Sequence, residues 1–128
     1  MKSKGFTLIE LLVVLALIGM VSGVVVPTLW GQYSRFEERR TIIRFWDTVA
    51  SQARDYRKRG ENYYIIQNDS EIIDRAQHYD LLVEEIQPML FRADKFVTDG
   101  YFVLKTKRNN YWQISVAMPD GVVTIEPR

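Results

Sequence analysis

From Leu11 to Ser34 the chain carries no charged side chain, a run of 24 residues. As a helix rising 1.5 Å per residue this run would reach about 36 Å, enough to cross a hydrocarbon core of roughly 30 Å. A core helix of a soluble domain is seldom apolar on every face over that length. A cleaved secretory signal fits badly as well, because the run is too long and no Ala-x-Ala-like site closes it. The run therefore predicts a membrane-spanning helix. At its entry stands a single acid, Glu10, directly behind the short basic leader Met1 to Gly5. A carboxylate at the edge of a bilayer is costly and usually has a partner and a task. Here a freed amino terminus at Phe6 could answer it.

Lys2 and Lys4 precede the run, and Arg35, Arg39 and Arg40 follow it, so charge asymmetry alone does not set the orientation. The formal charge is +1, and loss of Lys2 and Lys4 with the leader would leave −1. Such a balance demands no polyanionic partner. There is no cysteine, which removes disulfides, thiolate metal sites and thiol nucleophiles. Some 98 residues remain from Gly31 onward, within the range of small autonomous domains that stand on an apolar core alone.

Helical periodicity continues past the apolar run. Leu29, Tyr33, Phe36, Ile43, Trp46, Val49 or Ala50, Ala53 and Tyr56 recur mostly at spacings of three and four. Arg35, Glu37, Glu38, Arg39, Arg40, Arg44, Asp47, Arg54 and Asp55 lie between them as a charged outer face. One helix from Thr7 to about Lys58 is expected, with Gly60 and Asn62 as its stop. Pro27 falls inside it and predicts a kink or local unwinding. Gly19 and Gly23 form a small-xxx-small pair suited to close packing of membrane helices.

Beyond Gly60 the texture becomes β. Tyr63–Ile66 reads as a first strand, and Ser70 to Gln87 fits either a helical face or short strands until Pro88 ends it. Tyr101–Thr106, Tyr111–Ala117 and Val122–Glu126 are strand-like runs separated by turn residues, an antiparallel meander.

Lys4 to Val14, Lys-Gly-Phe-Thr-Leu-Ile-Glu-Leu-Leu-Val-Val, resembles the prepilin processing signal of type IV pilins and type II secretion pseudopilins. The resemblance implies cleavage between Gly5 and Phe6 by a prepilin peptidase and N-methylation of Phe6. It implies an assembly role for Glu10, which would meet a neighbour's amino terminus, and gives Pro27 the place of a helix-disrupting proline. A buried pair of this kind is far less costly than a lone charge. An internal bridge from Glu10 to the Phe6 amine is the local alternative. Looser patterns, including Ala53-Arg54 before Arg57-Lys58-Arg59-Gly60 and the strand Tyr63–Ile66, are similar to the GspH/FimT group of minor pseudopilins and pilins.

The fold class implied is α+β and pilin-like: a long N-terminal helix, transmembrane in one half and amphipathic in the other, packed under a small antiparallel β-sheet head. The expected boundaries are a leader at 1–5, a membrane half at 6–30, an amphipathic half at 31–60 and a β-rich head at 61–128. The implied function is a minor structural subunit of a type II secretion pseudopilus. A minor pilin of a type IV pilus or a DNA-uptake system is the alternative. Expected partners are other pilins or pseudopilins, the prepilin peptidase, an inner-membrane assembly platform and membrane lipid. The expected placement is a bacterial inner membrane, crossed once, with the N terminus cytoplasmic and the head periplasmic.

No catalytic constellation, cofactor or metal site is expected. His78 stands alone beside Asp74 and Asp80, Asp94 and Asp99 read as solvated loop acids, and no phosphate loop or nucleophile motif appears. Arg54, Arg57, Lys58 and Arg59 sit where cations suit the end of a helix dipole. They are also where nucleic acid would be contacted, although acids interleaved along the helix argue against a nucleic-acid partner.

Overall fold

The computed structural model describes residues 5–128; Lys2 and Lys4 of the basic leader lie outside them. The helix α1 covers Leu8–Lys58. It ends in a Schellman motif: Glu61 N–H donates to the Tyr56 carbonyl (2.9 Å), and Gly60 N–H donates to that of Arg57 (3.0 Å). The motif needs a left-handed residue just past the helix, and Gly60, at φ +71°, supplies it without a Cβ penalty. All residues around Pro27 are helical, so the local unwinding expected there is absent. Thr28 returns its hydroxyl to the Val24 carbonyl one turn back (3.1 Å).

The chain divides into two compact units, one ending at Glu37 and one covering Glu38–Arg128. In the first, the side chains from Phe6 to Trp30 are exposed throughout, as expected of a segment whose solvent is not water. The second unit holds all the remaining elements.

In that second unit β1 (Tyr63–Ile65) is followed by α2 (Ser70–His78), β2 (Leu82–Ile86), β3 (Met89–Phe91), β4 (Gly100–Lys105), β5 (Tyr111–Ala117) and β6 (Val122–Pro127). The strands form two antiparallel sheets, β1–β3 and β2–β4–β5–β6. The expected meander is therefore present as β4–β5–β6, with β2 added on its other edge. The ambiguous stretch from Ser70 to Gln87 contains both alternatives in succession. Asp69 caps α2 by accepting from Glu71 N–H and Ile72 N–H (3.1 and 3.3 Å). A second Schellman motif closes α2, with Leu81 N–H on the Ala76 carbonyl, Asp80 N–H on that of Gln77, and Asp80 at φ 59°. Strand β3 was not anticipated from the sequence.

The core joins Ile42, Phe45, Trp46, Val49 and Ala53 of α1 to Phe102, Leu104, Trp112, Ile114 and Val116 of the larger sheet. Tyr63, Ile65, Met89 and Phe91 extend it under the smaller sheet, and Ile72 and Ala76 close it from α2. Phe45 meets Phe102 edge-on at 6.2 Å between ring centres, and Trp46 lies 6.3 Å from Phe91 and 6.1 Å from Phe102. The buried stripe differs from the sequence reading. Ile42 and Phe45 are fully buried, whereas Ile43 and Phe36 are exposed.

Glu38 departs further from expectation. Placed by periodicity on the charged outer face, it is 9% exposed. Its carboxylate accepts from Thr106 Oγ1 (3.1 Å), Asn110 Nδ2 (3.0 and 3.2 Å) and Trp112 Nε1 (3.0 Å), all on or beside the β4–β5 hairpin. Every partner is a donor, which suits an acceptor-only carboxylate. This network ties the helix to the sheet where a cation would otherwise be needed to offset the burial.

Candidate functional site

The sequence motif that opens the chain takes a defined local form. Gly5 and Phe6 are non-helical and exposed, Phe6 at 87%, so the bond between them lies in accessible chain immediately before α1. The first helical residue is Leu8. Thr7 precedes it as the N-cap, its Oγ1 accepting from Glu10 N–H at 3.2 Å. Glu10 answers with its own carboxylate, which accepts from Thr7 N–H at 3.4 Å. The pair is a capping box, two otherwise unsatisfied amides bonded reciprocally, and the acid sits where the helix dipole favours negative charge. The Thr-x-x-Glu spacing of Thr7 and Glu10 is the sequence signature of this box.

Glu10 therefore has a partner before any processing takes place. Its carboxylate is held at the first turn, and the remainder of the exposed apolar surface runs from it to Trp30. Among the described residues this is the one helix long and apolar enough to cross a membrane. At Gly19 and Gly23 a Cβ would meet nothing within 4 Å, so both positions are open to approach by another backbone. Pro27 lies one turn beyond Gly23 on the same exposed helix.

The four cations near the end of α1 are not one patch. Arg54 and Arg57, three residues apart, line a groove with Asp120 of the β5–β6 turn and Val123 of β6. Lys58 is exposed. Arg59 projects elsewhere: it pairs with Glu61 at 3.8 Å, covers the Tyr56 ring at 4.6 Å, and borders a different hollow with Asp47, Asp55 and Arg75. Asp94 accepts from Phe96 N–H and pairs with Arg92 at 3.0 Å, and His78 ends α2 edge-on to Tyr79. Among the described residues no three or more His, Cys, Asp or Glu side chains gather as metal ligands would.

Two tyrosines are shifted upward. Burial pushes the Tyr63 phenol up to about 12, with Arg75 opposing and Glu71 and Asp69 assisting the shift. Tyr101 is raised by its hydrogen bond to Glu85 (2.6 Å) at an exposed position. Neither faces a constellation that would use an activated phenol.

Residues 1–26 match the prokaryotic N-terminal methylation motif. No curated protein and no solved structure matches the chain. The motif supports a type IV pilin-like subunit, processed by a prepilin peptidase and assembled with other pilins, and so a structural component rather than an enzyme. Together with the apolar helix it fits membrane anchoring.

Proposed function

We propose that this chain is a minor pilin-like subunit of a type II secretion pseudopilus, belonging to the GspH/FimT group. It enters the bacterial inner membrane with its leader, residues 1–5, in the cytoplasm and its β-rich head in the periplasm. A prepilin peptidase cuts between Gly5 and Phe6 and methylates the Phe6 amine. The membrane half, residues 6–30, then carries the subunit from lipid into the filament, where Gly19 and Gly23 pack against neighbouring helices and Pro27 adapts the helix to them. One observation supports the filament-subunit part of this reading: a lone acid, held at the third residue of a long exposed apolar helix, stands four residues past the proposed Gly5–Phe6 cut, within the residues that match the methylation motif.

In the filament the Glu10 carboxylate meets the amino terminus of an adjacent subunit, where low dielectric makes the pair favourable and either charge alone costly. The test is Glu10→Ala in the full chain, co-expressed with a prepilin peptidase and the assembly platform. Cleavage and methylation at Phe6 are expected to continue while incorporation into filaments falls at least about tenfold, a loss near 1.4 kcal/mol. Normal incorporation would overturn the assigned role. Type IV pili and DNA-uptake systems use the same amino-terminal device. Deleting the gene and scoring protein secretion against piliation and transformation assigns the machine, and loss of secretion alone is expected.

A further inference from the structure

We infer that the open edge of β6, with the arginine-lined groove beside it, is a strand-addition site for an extended acidic segment of a neighbouring subunit. The source of that segment rests on the filament reading; the groove does not.

Strand β6 pairs with β5 on one side, and among the described residues no strand lies on its other side. The main-chain groups at that edge follow from the ladder. Arg128 N–H donates to the Tyr111 carbonyl at 2.8 Å, and hydrogen-bonded pairs alternate along an antiparallel pair. Val122, Thr124 and Glu126 therefore face β5, while Val123 and Ile125 direct N–H and C=O groups to the open side. Pro127 falls in the same outward set and has no N–H, which ends the available edge there. The opposite edge of the sheet is different: β2 is broken by a register shift between Val83 and Glu85 and carries Glu84 and Glu85, features that blunt pairing.

Val123 and Ile125 also turn half-buried side chains toward the core. Next to them a groove of about 190 Å³ runs between β6 and α1, lined in part by Ala50, Ala53, Arg54, Arg57, Asp120 and Val123. Its lining mixes apolar and polar groups, and its two arginines outnumber its one acid. Among the described residues the buried Nε of Arg57 has no hydrogen-bond partner. An unsatisfied buried donor on a charged group is costly, and a carboxylate is its natural complement. A strand added to β6 would bond Val123 and Ile125 through its main chain, place alternate side chains over Ala50 and Ala53, and bring one carboxylate to Arg57 and Arg54. Main-chain pairing gives such sites their affinity, and the alternate pockets give specificity.

Because the main chain carries most of the pairing, a generic strand serves as the probe. The full chain, ¹⁵N-labelled in lipid nanodiscs, is titrated with the capped peptide Ser-Val-Thr-Glu-Thr-Val-Ser and with its Lys-centred counterpart. The Glu peptide is expected to shift the Val123 and Ile125 amides, slow their hydrogen exchange, and perturb the Arg57 Nε–H signal. The Lys peptide should bind about tenfold more weakly. Arg57→Gln should bring the two peptides within about threefold of each other. Val123→Pro removes an outward N–H while sparing the β5 ladder, and should weaken both. If that variant does not fold, the Arg57→Gln comparison still decides. No effect on Val123 and Ile125 at millimolar peptide, or equal binding of both peptides, overturns the proposal. Concentration-dependent protection of the same amides without peptide would assign the edge to a second copy of the chain and overturn it as well. Peptide binding with failed Gly5–Phe6 processing would instead overturn the filament reading alone.

Discussion

Trp112 donates its indole Nε1–H to the Glu38 carboxylate at 3.0 Å, joining β5 to a helix residue 74 positions earlier in the chain. Thr106 and Asn110 complete the acceptor's shell. Glu38→Ala would leave the buried Trp112 indole and Thr106 hydroxyl without their acceptor and open a void, while the exposed Asn110 amide can turn to water. The expected cost is about 3 kcal/mol, read as a lower denaturant midpoint for the head's unfolding in the full chain. Glu38→Gln should cost less, because one oxygen remains to accept while its amide faces donors.

Tyr63 gives the head an alkaline limit. Its hydroxyl is buried and, among the described residues, has no hydrogen-bond partner. Its phenol is raised from 10.0 to about 12. Below pH 10 both folded and unfolded chains hold the proton, and the stability is fully present. As pH rises the unfolded chain ionises first, so this contribution is lost between about 10 and about 12. Tyr63→Phe should be neutral or mildly stabilising at pH 7 and should flatten the loss in that window, as followed by thermal melts from pH 8 to 12.

Gly100 opens β4 against β3. A Cβ there would lie 2.9 Å from Met89 Cβ and Cε and 3.1 Å from the Gln87 carbonyl oxygen. Gly100→Ala should therefore destabilise the head by about 1–3 kcal/mol, since one of the contacts is backbone and cannot rotate away. Pairing the change with Met89→Ala should recover only part of the loss. Chemical denaturation of the two variants distinguishes the outcomes.

Thr7→Val keeps the shape of the N-cap and removes its acceptor. The Glu10 amide then has no bond at the helix start, and the first turn should fray without loss further along. Faster amide exchange confined to residues 8–10 in nanodiscs is the expected signature, with the exchange of Ile42 and Phe45 unchanged.

Where the chain encodes structure locally, the sequence was legible. Gly60 marked the end of α1, and the runs around Tyr101, Tyr111 and Val122 became β4, β5 and β6. The helix stripe was misplaced because Ile42-Ile43 and Phe45-Trp46 are apolar doublets that allow two faces about 100° apart. Only the sheet decides between them, by burying Ile42 and Phe45. Strand β3 has three residues behind Pro88, too few to display alternation. The burial of Glu38 is hidden for the same kind of reason: its donors lie some 70 residues downstream, and nothing near it in sequence announces them. At the amino terminus the motif was plain, and the uncleaved chain adds a contact of Glu10 with Thr7 beside the proposed one with a freed Phe6 amine.

That capping box leaves the carboxylate only partly engaged. One oxygen accepts the Thr7 amide, while an ionised carboxyl offers about four lone-pair sites. Under the proposed assembly role, a neighbour's amine would therefore add to the cap rather than replace it. The first turn would stay closed while the subunit joins its neighbours.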